Sequence, residues 1–233
     1  MLSLLSPWTI LSIGGSLVAP PEGIDTSFLQ ILRRLLVAEM EQGKKFAVIV
    51  GGGSTCRAYQ KAAGSVRKLS HEEADWIGIY ATRLNARLLH AVFGDWAHPS
   101  IFESPHDIPR KSPYAFFVGS GWKPGWSTDY VAVCAARRLG AKKVLNLSNI
   151  DYVYTADPRK DPKARALPQM TWKEYRALIG NAWTPGMNAP FDPVASRLAA
   201  KEKMEVVILN GKNIPNLRAC LAQKKCVGTR IVD

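Results

Sequence analysis

Three short segments of this chain carry the residue types that hold phosphate or a similar anion: Gly14-Gly15-Ser16, Gly51-Gly52-Gly53-Ser54 and Ser127-Thr128-Asp129. A glycine lacks a Cβ and takes positive φ without strain, so a glycine loop lets successive backbone N–H groups come close to an anion. Ser, Thr and Asp cap helix starts, where free N–H groups and the helix dipole attract negative charge. Each segment also has a plainer reading, as a strand-to-helix turn or as the cap of a helix that follows the turn at 119–126. Neither glycine loop fits GxxxxGK[ST] or GxGxxG, which excludes the P-loop and the dinucleotide fingerprint by motif. Taken together, the three segments suggest two phosphate-holding sites facing each other.

The elements that must position them alternate along the chain. A short apolar strand over residues 9–13 ends in the first glycine loop. A helix over 26–42 follows, with Phe28, Leu29, Leu32, Leu35, Leu36 and Met40 at helical spacing. A strand over 46–50 runs into the second glycine loop and a helix over 54–63. Ser70-His71-Glu72-Glu73 then reads as a capping box that opens a long helix to about residue 93. A strand over 115–118 enters the hydroxyl-rich segment, a helix reaches 139, and a strand covers 144–147. Beyond these come a small hairpin with a Pro-containing loop at 151–161, a helix over 171–179 and a loop or lid over 181–193. A helix over 193–203, a strand over 205–209, a helix over 213–222 and a strand over 229–232 close the chain. This βαβα order predicts an α/β fold, a three-layer αβα sandwich around a mostly parallel central sheet, with function at the carboxyl ends of the strands.

With 233 residues and 47% hydrophobic content, the chain can bury a large core as a single domain of two joined halves. It has no apolar run of transmembrane length, and its apolar start lacks the basic flank of a signal peptide and reads as the lead into the first strand. Cys56, Cys134, Cys220 and Cys226 show no CxxC spacing and no histidine cluster, so neither a zinc site nor a disulfide framework is expected, and a reducing cytoplasm is the default. Thirty-one Lys and Arg against 19 Asp and Glu give a net charge of +12, which favours anionic partners. The basic residues are scattered as pairs with no nucleic-acid motif, and neither nucleic acid nor membrane is expected as a partner.

A set of motifs in fixed order then carries a resemblance: SIGGS at 12–16, VGGGSTCR at 50–57, ADWIGIYATRLNARLL at 74–89, GWKPGWSTD at 121–129, SNIDYVYTADPRKDP at 148–162 and NAPFDPVAS at 188–196. Through them the chain resembles the amino-acid kinase superfamily and, within it, the archaeal-type UMP kinases. The resemblance covers nearly the whole sequence. It implies transfer of the ATP γ-phosphoryl group to UMP, giving UDP and ADP in pyrimidine nucleotide biosynthesis. It also implies Mg²⁺ with ATP, a homo-oligomer (dimer or hexamer) joined through the long helix, an acceptor half over about 1–125 and an ATP half over about 126–233.

Position by position, the resemblance implies that Gly51, Gly52 and Gly53 with Arg57 hold the UMP phosphate, the guanidinium through a forked pair of hydrogen bonds. Asp75 would accept from the ribose hydroxyls, Trp122 and Trp126 would lie near the uracil, and Thr128 would touch the acceptor phosphate. Thr82, Arg83 and Asn85 would lie near the nucleoside and the subunit contact. Gly14, Gly15 and Ser16 would contact the ATP phosphates, and Asn149, Asp151, Tyr154 and Asp157 would wall the adenine and ribose. Asp129 and Asp192 would be the catalytic carboxylates; Asp192 also fits the N-cap of the helix starting at Pro193. The chain departs from the bacterial pattern where it has Ser12 and Asn149 in place of lysines. Lys123, Arg159 and Lys160 are the candidates for a replacing cation. Two other readings stay open: a kinase of another small phosphate or carboxylate acceptor, and a catalytically silent nucleotide-binding or storage protein.

Overall fold

Strand β1 (Trp8–Ile13) lies at the centre of a seven-stranded sheet, flanked by β2 (Lys45–Val50) and β4 (Lys143–Ser148). A computed structural model describes residues 8–158, 160–180 and 189–233; residues 181–188 of the expected loop or lid over 181–193, and the candidate Arg159, lie outside the described residues. The sheet order is β3-β2-β1-β4-β8-β9-β7, with β3 at Phe116–Gly119, β8 at Glu205–Asn210, β9 at Thr229–Val232 and β7 at Gln169–Thr171. All pairings are parallel except β8 with β9, so the expected αβα sandwich around a mostly parallel sheet is present.

Strands buried on both faces read as continuous apolar runs, and KFAVIV and KVLNLS do so. One face packs under helices α2 (Thr26–Glu41), α4 (His71–Phe93) and α8 (Ile214–Leu221), through Leu32, Leu36, Leu89, Phe93 and Leu217. The other packs under α5 (Thr128–Leu139), α6 (Trp172–Ile179) and α7 (Pro193–Lys201), through Val131, Ala135, Tyr175, Ala195 and Ala199. Helix α4 opens on the expected capping box, Ser70 with Glu73, and α6 on a second, Thr171 with Glu174.

The short helix α1 (Gly15–Val18) and strand β7 are too brief to announce themselves by periodicity and were not expected. Helix α3 (Gly53–Val66) starts inside the glycine loop itself. The expected hairpin at 151–161 is wider: β5 (Val153–Tyr154) pairs antiparallel with β6 (Ala166–Leu167), because two-residue strands pair wherever the loop between them closes. The cysteine expectation is corrected in part, since Cys220 and Cys226 form a disulfide across Cα atoms 5.4 Å apart. The six-residue spacing matches no framework pattern, and the pair meets only because the chain doubles back after α8.

Candidate active site

Gly14 follows β1 and Gly51 follows β2, so the two glycine loops leave neighbouring parallel strands at the same edge and touch. A Cβ built on Gly15 would lie 2.1 Å from the backbone nitrogen of Gly53 and 2.5 Å from the carbonyl of Gly51. Gly53 has φ +66°, and its own Cβ would meet the Gly15 carbonyl at 2.5 Å. Both positions require glycine because backbone packs on backbone there. Asn85 of α4 donates to the Gly51 carbonyl (2.8 Å), and Gly51 N–H donates to Ile13 O (2.9 Å), which locks the second loop to the first strand and to the long helix. Ser16 stands in the single turn of α1, directly after these contacts.

Asp129 sits in the first turn of α5, whose N-cap is Ser127. Its Oδ1 accepts from Ser12 Oγ of β1 and from Asn146 Nδ2 of β4, both at 2.8 Å, and its Oδ2 accepts from the Asp192 backbone N–H at 3.3 Å. Asp192 caps α7 as expected, its Oδ1 accepting from Val194 N (2.7 Å) and Ala195 N (3.0 Å), with Pro193 at the first helical position. Its other oxygen takes the Ser127 hydroxyl, so the caps of α5 and α7 are joined. Asp192 is buried, and Asp129, though half-buried by surface, is ringed by protein groups. Desolvation first, and the Asp192 charge second, push the Asp129 carboxyl up to about 7. Desolvation likewise raises Asp192, against the hydrogen bonds of Ser127, Ala195 and Val194 and the Arg197 charge.

Ser12, where the resemblance led to the expectation of a lysine, is thus a hydrogen-bond donor to the carboxylate. No ion pair to Asp129 is found among the described residues. Lys123 holds its ammonium over the rings of Trp122 (4.5 Å) and Trp126 (5.8 Å), and exposed Lys160 stands in the loop after β5.

The residues expected on the acceptor side gather on α3, α4 and the loop after β3. Arg57 is exposed on the first turns of α3, behind the glycine loop. Burial pushes the neighbouring Cys56 thiol up, which makes it inert rather than nucleophilic. Asp75 Oδ2 accepts from Gly125 N–H at 2.8 Å, and Thr82 Oγ1 accepts from Gly121 N–H at 2.8 Å, so α4 grips the loop at two points. Within that loop Trp122 and Trp126 stack 6.1 Å apart, and Trp126 lies 4.0 Å from Tyr130. Arg83 pairs with Glu103 at 2.9 Å and lies over the Tyr80 ring. Thr128 is the first residue of α5, between the aromatic loop and Asp129. Asn149, Asp151, Tyr154 and Asp157 follow β4, the strand that pairs with β1 on the side opposite β2, in the segment that carries β5.

Sequence reasoning missed Asn146, the second donor to Asp129, because an asparagine inside an apolar strand has no motif around it. It also missed Tyr175, whose hydroxyl donates to Phe191 O (2.7 Å) and accepts from Phe191 N–H (2.8 Å), fixing the chain just before Asp192.

The chain matches the amino acid kinase family over residues 7–123 and 124–210. It is 33% identical to the uridylate kinase of Methanospirillum hungatei over 229 residues, covering 97% of this chain and 94% of that protein. It is 32% identical to the uridylate kinase of Hyperthermus butylicus over 214 residues, 90% and 91% of the two chains. The crystal structure of uridylate kinase from Archaeoglobus fulgidus superposes with a TM-score of 0.80 at 27% identity, covering 96% of this chain and 99% of that one. A seven-stranded sheet with paired glycine loops and a capped carboxylate pair at one edge, matched in sequence along nearly its whole length, places this chain in the amino acid kinase family, beside the archaeal uridylate kinases.

Proposed function

We propose that the protein is an ATP:UMP phosphotransferase that yields UDP and ADP. The observation that carries this reading is the contact of two glycine loops beside Asp129 and the joined helix caps Ser127 and Asp192, which we read as two backbone-lined anion positions back to back at one sheet edge. The relatives named uridylate kinase supply the substrates. Arg57 favours a phosphorylated acceptor and Asp75 a ribose, since an amino-acid substrate needs neither.

Phosphoryl transfer asks mainly for alignment and neutralisation of charge, because a loose transition state leaves little covalent work to the protein. In this reading Gly51–Gly53, Arg57 and Thr128 orient the acceptor phosphate, and Gly14–Ser16 hold the donor phosphates in line with it. Asn149, Asp151, Tyr154 and Asp157 bound the adenosine, Trp122 and Asp75 the uridine. Residues 1–125 would thus serve the acceptor and 126–233 the donor. Asp129, fixed by Ser12 and Asn146, keeps its carboxylate at a constant place beside the transferring group, and Asp192 fixes α7 against it.

Mg²⁺ fits the donor set. Asp129 and Asp192 offer hard carboxylate oxygens, and Mg²⁺ is ordinarily held by one or two carboxylates together with substrate phosphates. When bound, it neutralises the phosphate oxygens, which the departure from the lysine pattern makes more necessary here.

Tyr59, Trp76, Tyr80 and Leu84 are exposed large side chains on α3 and α4, the last three spaced four residues apart on one helix face. Such a stripe marks a covered surface, and we assign it to a homo-oligomer contact along α4.

Turnover with a panel of UMP, CMP, AMP, glutamate, aspartate and isopentenyl phosphate tests the reading, with UMP expected to lead. In the same assay Arg57→Ala should raise the UMP KM by about 10- to 150-fold with little change for ATP, the loss of one charge-assisted contact. Preference for an acceptor without ribose, or equal loss for both substrates, would overturn it.

A further inference from the structure

Tyr175 is fully buried on α6 and belongs to neither glycine loop nor to a helix cap. It stands one residue past the Thr171–Glu174 capping box, which fixes where the helix starts and so which of its faces meets the core. Its ring lies edge-on to Trp172 at 6.1 Å, and Trp172 in turn donates its indole N–H to Met204 O at 3.0 Å. Burial first, and the Asp129 charge second, push the phenol well above its ordinary range, so the hydroxyl keeps its proton and stays a donor.

Both hydrogen bonds of that hydroxyl go to one residue. It donates to Phe191 O (2.7 Å) and accepts from Phe191 N–H (2.8 Å), so it grips the backbone on either side of the Phe191 Cα. Pro190 precedes Phe191, and Pro193 follows Asp192. A residue before proline is kept out of the helical region, and Asp192 is extended, with φ −68° and ψ 153°. The Phe191–Asp192 peptide is thus stiffened by proline on its far side and clamped by Tyr175 on its near side.

A buried tyrosine that satisfies backbone groups is an ordinary device of a protein core. What takes this one further is the other end of the same peptide. Its carbonyl is the Phe191 O that Tyr175 holds, and its N–H is the Asp192 N–H that donates to Asp129 Oδ2 at 3.3 Å. The two oxygens of Asp129 are held unequally: Oδ1 accepts from Ser12 and Asn146 at 2.8 Å each, whereas Oδ2 has, among the described residues, this one long bond. A hydrogen bond received by a peptide carbonyl polarises the peptide and strengthens what its N–H donates. The Tyr175 hydroxyl therefore acts on the less firmly held oxygen of Asp129.

We propose that Tyr175 is a positioning residue for phosphoryl transfer: through the Phe191–Asp192 peptide its hydroxyl fixes Oδ2 of Asp129, and with it the direction in which that carboxylate meets the transferring group. The inference rests on the phosphotransferase reading, and it assigns the hydroxyl to kcat rather than to the binding of either nucleotide.

Tyr175→Phe keeps the ring and removes the hydroxyl. Well below the melting temperature, kcat for UMP phosphorylation should fall by about tenfold, with the KM values for UMP and ATP within about twofold of wild type. In NMR spectra of the isotope-labelled full chain without substrate, the Asp192 amide proton should move upfield, toward its position in Asp129→Asn, because its hydrogen bond to Asp129 weakens. Trp172→Phe, also buried and packed on both Tyr175 and Phe191, should lower Tm but leave kcat and that resonance in place. Should Tyr175→Phe not fold, para-aminophenylalanine at position 175, a weaker donor of the same shape, should shift both readouts in the same direction by less. An unchanged kcat, a kcat loss with the Asp192 amide unmoved, or equal losses in Trp172→Phe would overturn the proposal and return Tyr175 to packing. The amide shift needs no substrate, so a wild type that does not turn over UMP would count against the phosphotransferase reading and not against this link.

Discussion

The glycine loops after β1 and β2 meet through backbone atoms, whereas the loop after β3 meets its surroundings through rings, one carboxylate and one hydroxyl. At Gly15 an added methyl would lie 2.1 Å from a backbone nitrogen, with no flexible group to give way; at Gly125 nothing lies within 4 Å. The first region is a fixed frame that tolerates no side chain. The second is a set of side chains, Trp122, Trp126 and Tyr130 with Lys123 above them, pinned to α4 by Asp75 and Thr82. The difference matches the two tasks proposed for them: every nucleotide presents the same phosphate, and the base is what a kinase must choose.

The sharpest break in this comparison comes from alanine at the two glycines. Gly15→Ala forces backbone apart and should cost about 3 kcal/mol or more, a fall in Tm of roughly 6–12 °C, with activity lost in whatever still folds. Gly125→Ala meets open space and suffers only from its φ of +83°, so its Tm should fall by roughly 2–4 °C. Thermal melts that rank the two equally would show that the glycine loops are ordinary turns.

The carboxylate pair belongs to the rigid region, and Asp129→Asn separates its catalytic from its structural role. The carboxamide oxygen still accepts from Ser12 and Asn146, and the long contact from the Asp192 N–H is given up, so the fold is largely kept while the charge is removed. Turnover should fall by at least ~100-fold with UMP and ATP still binding, as for the loss of one electrostatic organiser. Stability should move the other way. With a folded pKa of about 7 against an ordinary 3.8, Asp129 keeps its proton over a range where the unfolded chain has released it. The stabilisation this gives is complete below about pH 4 and is lost as pH rises through 7. Melts from pH 5 to 8.5 should therefore show the variant gaining on the wild type toward alkaline pH, by about 1 kcal/mol or more, and wild-type kcat/KM should fall off on the acid side of pH 7. Near wild-type turnover in the variant would return Asp129 to a helix-end role.

The rigid region was the more legible one in the sequence. Strands buried on both faces, glycine at close backbone contacts and Ser, Thr or Asp at helix starts are local rules, and they gave β1, β2, β4, both glycine loops and the Ser70, Ser127 and Asp192 caps. What stayed hidden depends on distant chain. Asn146 looks like a polar flaw in an apolar strand until Asp129 arrives from α5, and Tyr175 gains its purpose only when Phe191 packs on α6. Cys220 and Cys226 meet because the chain doubles back after α8. The motifs named candidate residues for the site, but not that Ser12 would donate to Asp129 where a lysine was expected.

The smallest expected effect tests the aromatic loop at Asp75. The structure gives this residue a definite task, accepting Gly125 N–H at 2.8 Å and so holding the aromatic loop against α4. The proposed task is to accept from a ribose hydroxyl with its remaining oxygen. Asp75→Asn can keep the first by turning its amide oxygen toward Gly125, which leaves an N–H donor facing a hydroxyl that had itself donated. UMP should then bind about five- to tenfold more weakly, while Tm changes by no more than about 2 °C. A nucleotide without the bonded hydroxyl has less to lose, so dUMP should weaken by a smaller factor than UMP. Calorimetric binding of both nucleotides to wild type and variant decides between the tasks. Equal loss for UMP and dUMP, accompanied by a clear drop in Tm, would mean that Asp75 serves the loop alone and that the ring platform, rather than this carboxylate, selects the acceptor.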